Sequence, residues 1–384
     1  MLRVLTLSTL YPDASRPNFG PFVEYQTRGL AAHPGADVRV MVPWGTPPLI
    51  GRLIKRYRTL DQLPWSEHRN GVTVYRMPFA HLPVVGARLD ATLLARSQRR
   101  VLKALHQDFP FDVIDAEFFW PDGPAAIALG KALGVPVSIK ARGADIHHWG
   151  KNPATASQVI AAGKAADGML AVSAALKADM VALGMPEDRI TVHYTGIDRA
   201  RFHVRDRAAA KAALGITGPL LVSVGALIKR KGHGIVIEAV KSRPDATLVI
   251  IGEGSDRTAL EAQAASLGSR VRFLGSQPHD VIADWLAAAD AMMLMSASEG
   301  LANAWVEALA SGTPVVISDV GGAREILDRP EAGVLATPGP ASVADAIQQV
   351  LARNADRHKV AATVDRFSWE ANTAALYDHL LALV

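Results

Sequence analysis

Residues 296–316 read SASEGLANAWVEALASGTPVV. The stretch runs from a short polar loop through an alanine-rich apolar segment to a Ser-Gly-Thr-Pro turn and a final apolar run. Read as a helix, a tight turn and a buried strand, it is half of a crossover unit. Such crossovers build parallel sheets, because parallel strands cannot be joined by a hairpin. Two glutamates, Glu299 and Glu307, stand eight positions apart within it. A helix starting near Ala302 or Asn303, with Asn303 available as its cap, leaves Glu299 in the preceding loop. Glu307 then lies one to two turns inside. If all eight steps were helical, the carboxylates would be ~12 Å apart along the axis. That is too far to share one proton or one metal ion, and suited to two parts of one extended polyhydroxylated ligand. The plainer alternative makes Glu299 a surface charge complementing the helix dipole and Glu307 an exposed helix position.

The same grammar extends outward on both sides. Strand-like runs occur at 3–8, 38–43, 72–77, 112–116, 137–141, 169–173 and 190–194. The series restarts at 220–225, 247–252, 271–275, 291–296, 314–319 and 333–337. Runs rich in Val and Ile, apolar on both faces and separated by helical patterns, imply parallel sheets covered on both sides. A polar, charged segment ending in Gly-Pro places a junction near residues 197–217. The fold class is therefore α/β with two doubly wound, Rossmann-like domains, whose ligand crevices at the strand carboxyl ends are expected to face each other across a cleft. The domains are assigned to 1–200 and 201–365, followed by a terminal helical segment, 366–384.

Composition narrows the class further. The chain has 384 residues, 49% hydrophobic and 20% charged, as in a globular protein with full cores. It contains no cysteine, which excludes disulfides, thiolate catalysis and Cys-ligated zinc. The opening MLRVLTLSTLYPD reads as a first strand and not as a signal peptide, and no run of ~18 apolar residues occurs. A cytoplasmic protein is the expectation. The net charge is +4, yet residues 47–104 hold 11 Lys and Arg against 3 Asp and Glu, so the remainder sums to −4. Within that segment, 47–60 mixes Leu49, Ile50, Leu53, Ile54 and Tyr57 with Arg52, Lys55, Arg56 and Arg58, and 96–106 is similar. Such helices suit adsorption to an anionic membrane surface, while a basic cleft explains the arginines equally well.

A second stretch, VSVGALIKRKGHGIVIEA at 222–239, ends a strand at Gly225 and passes Lys229, Arg230 and Lys231 into an apolar-periodic helix. Glycines admit a close backbone approach, the helix start offers free N–H groups, and the cations add charge, all of which suit a phosphate.

Together these stretches resemble the retaining glycosyltransferases of the GT-B fold, family 4 (group 1). Glu299 and Glu307 match that family's E-x7-E pair. VGALIKRKG (224–232) matches its phosphate loop, and Gly321, Gly322 and Glu325 match its Gly-Gly-x-x-Glu. TGIDRARF (195–202) and RFSWEANTAALYDHL (366–380) match its junction and terminus. STLYPDASRPNFGPFVEYQ (8–26) and DAEFFWPDGPAA (115–126) resemble its acceptor-domain loops.

The resemblance implies a sugar transfer from a UDP- or GDP-sugar to a saccharide or lipid-linked acceptor, in cell-surface polysaccharide or glycolipid synthesis. It needs no cofactor, and nucleic acid is not an expected partner. By the same resemblance, Glu307 accepts hydrogen bonds from the ribose and Glu299 holds the transferred sugar, near backbone N–H groups of Gly300, Leu301 and Ala302, with Asn303 beside them. Lys231 binds the diphosphate, Gly20 lets its loop approach the phosphates, and the base lies near Gly275. The terminal helix crosses back onto the N-terminal domain.

Two positions depart from the family. Ala226 replaces a usual arginine, whose role Arg230 is expected to take with its planar fork. Arg142 stands where relatives carry a histidine, followed by Asp145; His147 and His148 are out of alignment, so Arg142 and Asp145 are assigned to sugar or acceptor orientation. No two aspartates are separated by one residue, so no metal site is assigned, and Lys231 and Arg230 are expected to carry the leaving-group charge. Transfer then passes through an oxocarbenium-like state with attack from the leaving-group face. The competing reading is a non-catalytic GT-B protein that binds a nucleotide sugar as a partner subunit. A sugar-nucleotide epimerase would need carboxylates placed for chemistry at C2, and a nicotinamide dehydrogenase lacks its Gly-x-Gly-x-x-Gly after the first strand.

Overall fold

The structure, a computed structural model, describes the whole chain except residues 18, 49, 50, 52, 53 and 83–85 and the side chains of residues 55 and 56. It forms two compact units, Met1–Gly196 together with Trp369–Val384, and Ile197–Ser368.

The first unit holds eight strands: β1 (Leu2–Leu7), β2 (Ala36–Thr46), β3 (Ser66–Arg69), β4 (Val72–Ala80), β5 (Val113–Ala116), β6 (Val137–Ala141), β7 (Gly168–Ala171) and β8 (Ile190–Val192). Their order is β3-β4-β2-β1-β5-β6-β7-β8, with neighbouring strands parallel except β3 on β4. β5, β6 and β7 are buried along their whole length, which explains their near-continuous apolar runs. β3 escapes a hydrophobic reading because its sequence, SEHR, is polar. It forms because Asn70 and Gly71 both take positive φ, 49° and 85°, the two-residue turn that joins antiparallel strands most tightly.

The terminal helix Trp369–Leu381 belongs to this unit, as the family resemblance implied. It lies on the helix Pro21–Ala32, where a Cβ on Gly29 would fall 2.3 Å from Thr373 Oγ1. Leu376 and Leu380 join the core of β1 and β2, and burial of each contributes roughly 1.5–3 kcal/mol. Buried His193 donates through Nε2 to the Asn372 carbonyl at 2.8 Å, and the Asn372 amide donates to the Tyr194 carbonyl at 2.6 Å.

The basic segments take different courses. In the helix Gly86–Asp108, Gln98, Leu102 and Leu105 face the core while Arg96, Arg99, Arg100 and Lys103 are exposed. The apolar face of 96–106 is therefore spent inside the protein, and only its cationic face is presented. In 47–60, Leu49, Ile50, Arg52 and Leu53 lie outside the described residues, as do the side chains of Lys55 and Arg56. No helix among the described residues is long and apolar enough to cross a membrane.

The second unit holds β9 (Leu220–Val224), β10 (Thr247–Ile251), β11 (Val271–Gly275), β12 (Ala291–Leu294), β13 (Val315–Ile317) and β14 (Gly333–Leu335). All are parallel, in the order β11-β10-β9-β12-β13-β14. The winding reverses between β9 and β12: the chain leaves β9 toward β10 on one side and returns to β12 on the other. Loops that follow these two strands border a crevice at their carboxyl ends. They are the stretches from Gly225 and from Met295 onward, so the topology alone brings the two motifs together.

Candidate functional site

Beyond β9 the chain passes Gly225, makes one 3-10 turn over Lys229–Lys231, and enters the helix His233–Val240. Gly232 joins them with φ 69°, and a Cβ there would lie 2.0 Å from the Met295 carbonyl oxygen. Only glycine allows that approach. It presses the cationic turn against the loop that follows β12.

The two loops are then stitched by hydrogen bonds. The Ala297 N–H donates to the Arg230 carbonyl at 2.7 Å, and the Arg230 guanidinium donates to the Ser298 carbonyl at 2.5 Å. Lys231 Nζ lies 2.5 Å from Glu299 Oε1, and Arg230 lies 3.6 Å from Glu299 Oε2. Glu299 is 8% exposed, so its carboxylate faces these two cations from within a shielded site. A third loop completes the seat. Gly321, with φ 52°, approaches so closely that a Cβ would fall 2.1 Å from the Glu299 carbonyl oxygen. Gly322 N–H donates to the Gly300 carbonyl at 2.8 Å.

The helix Asn303–Ala310 begins as the sequence suggests, but its cap is Ala302 and no side chain caps it. Asn303 is the first helical residue and does not take the capping role expected of it. The run from Glu299 to Glu307 is consequently only half helical, with Gly300, Leu301 and Ala302 in the loop. Glu307 is half-buried, and desolvation of its carboxyl raises the pKa to about 7, opposed by the nearby positive charge of Arg201. Its carboxylate receives no hydrogen bond from another described residue. An exposed, solvated position does not describe it.

Beside these loops, three neighbouring strands each end in glycine. Gly225 N–H donates to the Ile251 carbonyl at 3.0 Å and Gly252 N–H to the Gly275 carbonyl at 2.9 Å. A Cβ on Gly252 would lie 1.9 Å from the Gly225 carbonyl oxygen. The strand ends from Gly225 to Gly275 are thus drawn close together, with the Glu253 and Arg257 side chains in the space beside Gly275. Beneath them His233 links Ser223 Oγ, at 3.0 Å from Nδ1, to the Ala226 carbonyl, at 3.2 Å from Nε2. Burial pushes this histidine down to about 4, so the neutral ring holds the loop by donating from Nε2. Sequence reasoning included Gly232 as the flexible end of the phosphate loop, and passed over Gly252 and His233. The glycine ending each strand run was the available signal.

In the first unit Gly20 has φ 69° at the start of the helix Pro21–Ala32, and a Cβ would lie 2.7 Å from the Leu10 carbonyl oxygen. The two orientation assignments meet a different outcome. Asp145 is fully buried, and its carboxylate accepts from the backbone N–H groups of Phe119, Arg142, Gly143 and Ile146. Those contacts saturate it, so it shapes the loop and offers no oxygen to a sugar. Arg142 turns inward to an ion pair with buried Glu117 and lies 4.6 Å over the Phe22 ring. Its guanidinium is consumed by these neighbours. His147 pairs with Asp179 at 2.8 Å.

Comparison with known proteins adds an independent line. The model described as "Glycosyl transferases group 1" matches residues 205–365, and that of the "Glycosyl transferase 4-like domain" matches 20–196. The chain is 30% identical over 376 residues to glycogen synthase of Mycobacterium tuberculosis, covering 91% of this chain and 86% of that protein. It is 29% identical over 357 residues to the candidate teichuronic acid biosynthesis glycosyltransferase TuaC of Bacillus subtilis, covering 90% and 88%. Among solved structures, Anabaena HepE in complex with UDP-glucose superposes with a TM-score of 0.73 at 19% identity over the whole of both chains.

Proposed function

The chain belongs to the group 1 glycosyltransferases, and from that premise we propose that it transfers a sugar from a nucleoside-diphosphate sugar, UDP- or GDP-linked, with retention of configuration and without a metal ion. The acceptor is a saccharide or a lipid-linked saccharide in cell-surface polysaccharide or glycolipid synthesis, a reading supported by the Bacillus relative's name as a teichuronic acid biosynthesis glycosyltransferase. The single observation that carries this reading is the convergence of Arg230, Lys231 and Glu299 on loops stitched together at the β9–β12 reversal.

In this reading Lys231 and Arg230 bind the diphosphate. Their placement at the start of a helix adds the partial charge of free N–H groups. Charge fixed before the reaction needs no reorganisation as the phosphate departs, and one such donor is worth about 3 kcal/mol. Glu299, held between the two cations, keeps them in place and accepts hydroxyls of the transferred sugar. Glu307 accepts the ribose hydroxyls, and the glycine rim at Gly225 and Gly275 takes the base. The bond from the anomeric carbon to the phosphate oxygen breaks first. The acceptor oxygen then bonds to that carbon on the same face, and its proton passes to the departing phosphate. No protein nucleophile is required.

Incubation with UDP-glucose, UDP-galactose and GDP-mannose in EDTA, with chromatography of the released nucleotide, tests the proposal. Release from donors of one base class is expected. Lys231→Ala should slow it about 100-fold, the usual loss for one preorganised donor. Release that requires added metal, or that survives Lys231→Ala, contradicts the assignment.

A further inference from the structure

The first unit carries a cationic face that the donor chemistry does not use. Arg88, Arg96, Arg99, Arg100 and Lys103 are exposed on the helix Gly86–Asp108, and Lys131 is exposed on the neighbouring helix Asp122–Leu133. None of these side chains makes an ion pair or hydrogen bond with a described residue. Surface cations of the second unit do find partners: Arg201 meets Asp280, Arg205 meets Asp284 and Lys211 meets Asp290, each at 2.5 Å. Acids on the two helices do not compensate the face. Asp90 turns to His81 at 2.9 Å, Asp122 is fully buried, and exposed Asp108 stands at the far end of its helix.

Between the two helices runs a groove of about 550 Å³. Its apolar lining includes Ala91 and Ala95 from one helix and Ala128 and Ala132 from the other, each pair one helical turn apart. Arg96 and Arg99 line it from the first helix and Lys131 from the second. Gln158 ties the helix Ala156–Ala165 to its border, donating from its side-chain amide to the Arg88 carbonyl at 3.1 Å.

We propose that this groove docks an acidic amphipathic helix of a partner protein, a function separate from sugar transfer. The partner's apolar side chains enter the space that the alanines leave, and its flanking carboxylates meet the unpaired cations. Four of the six cations are arginine, the cation favoured at protein interfaces. A bilayer fits less well, because adsorption needs projecting apolar side chains. Alanine methyls beside arginine stems do not project, and Leu89 is the only large, well-exposed apolar residue on these helices. A uniformly charged polymer leaves the alanine lining without an apolar contact.

The test uses the full chain with a fluorescein-labelled peptide of about five helical turns, leucine along one face and glutamate along the other. Its scrambled isomer and phosphatidylglycerol vesicles are the comparison probes. Fluorescence anisotropy should show the amphipathic peptide binding about tenfold more tightly than the isomer. Ala128 is exposed, so Ala128→Phe fills the groove without entering the core. That variant should weaken peptide binding about tenfold, as should Arg96→Glu combined with Lys131→Glu. Equal melting temperatures establish that the variants are folded. Equal binding of the isomer, or indifference to Ala128→Phe, reduces the face to charge alone and overturns the inference. Vesicle binding in place of peptide binding overturns it in favour of a lipid surface. Self-association of the unaltered chain in sedimentation, abolished by Ala128→Phe, overturns it in favour of a second copy. No binding of the amphipathic peptide also overturns it.

Discussion

At the scale of single residues, Glu307 is the most informative. Its carboxyl is desolvated, which raises its pKa to about 7, and nothing described donates to it. A ligand bringing two hydroxyl donors stabilises the charged form, so binding releases a proton and strengthens as pH rises through 7. Affinity for UDP-glucose, whose diphosphate does not titrate in this range, should improve about tenfold from pH 6 to pH 8, and Glu307→Gln should flatten the dependence. Calorimetry across that range checks both. The same shift carries a stability sign. A raised carboxyl pKa gives stability that is complete below the unfolded value and lost as pH rises through the folded one. Glu307→Gln should therefore raise the melting temperature at pH 8 and not at pH 5. Residue identity was legible here and residue environment was not. Glu299 and Glu307 stand out by spacing, whereas nothing in IKARGADIHHWG tells that Arg142 and Asp145 turn inward to Glu117 and to loop N–H groups.

At the scale of elements, the site depends on how tightly one loop seats against another. Gly232 has both a left-handed φ and a neighbouring carbonyl where a Cβ would go. Gly232→Ala must displace the Met295 carbonyl or unwind the start of the helix His233–Val240, at a cost of several kcal/mol. A melting temperature lowered by several degrees, together with weakened UDP binding, is the expected outcome; an unchanged melt would show that the loops are not held by this contact. Strand existence was readable from the apolar runs, because strands covered on both faces cannot hide their composition. Element edges were less so: the run at 314–319 shrinks to Val315–Ile317, and 38–43 grows to Ala36–Thr46. The hairpin strand Ser66–Arg69 was missed because its edge position permits polar residues. The Asn-Gly turn beside it was the better signal.

At the scale of the whole molecule, the alternation of strands and helices gave two parallel sheets, and the order reversal at β9 and β12 gathered motifs about 70 positions apart. What sequence could not supply was the set of neighbours across long separations, such as His193 with Asn372. That contact, with Leu376 and Leu380, makes the last helix part of the first unit's core. Deleting residues 369–384 should cost roughly 3–6 kcal/mol from the two leucines alone. Calorimetry should show the first unit's transition lowered or lost while UDP binding, which the proposed donor site assigns to the second unit, persists. Two unaltered transitions would contradict this assignment of the core.

The most direct test of the central claim is calorimetric titration with UDP, GDP and ADP in turn, in EDTA, for the unaltered chain and for Glu307→Ala. One nucleotide is expected to bind without metal, and Glu307→Ala is expected to lose it. Binding of none, binding only with a divalent ion, or equal binding by Glu307→Ala would contradict a donor site built from Arg230, Lys231, Glu299 and Glu307.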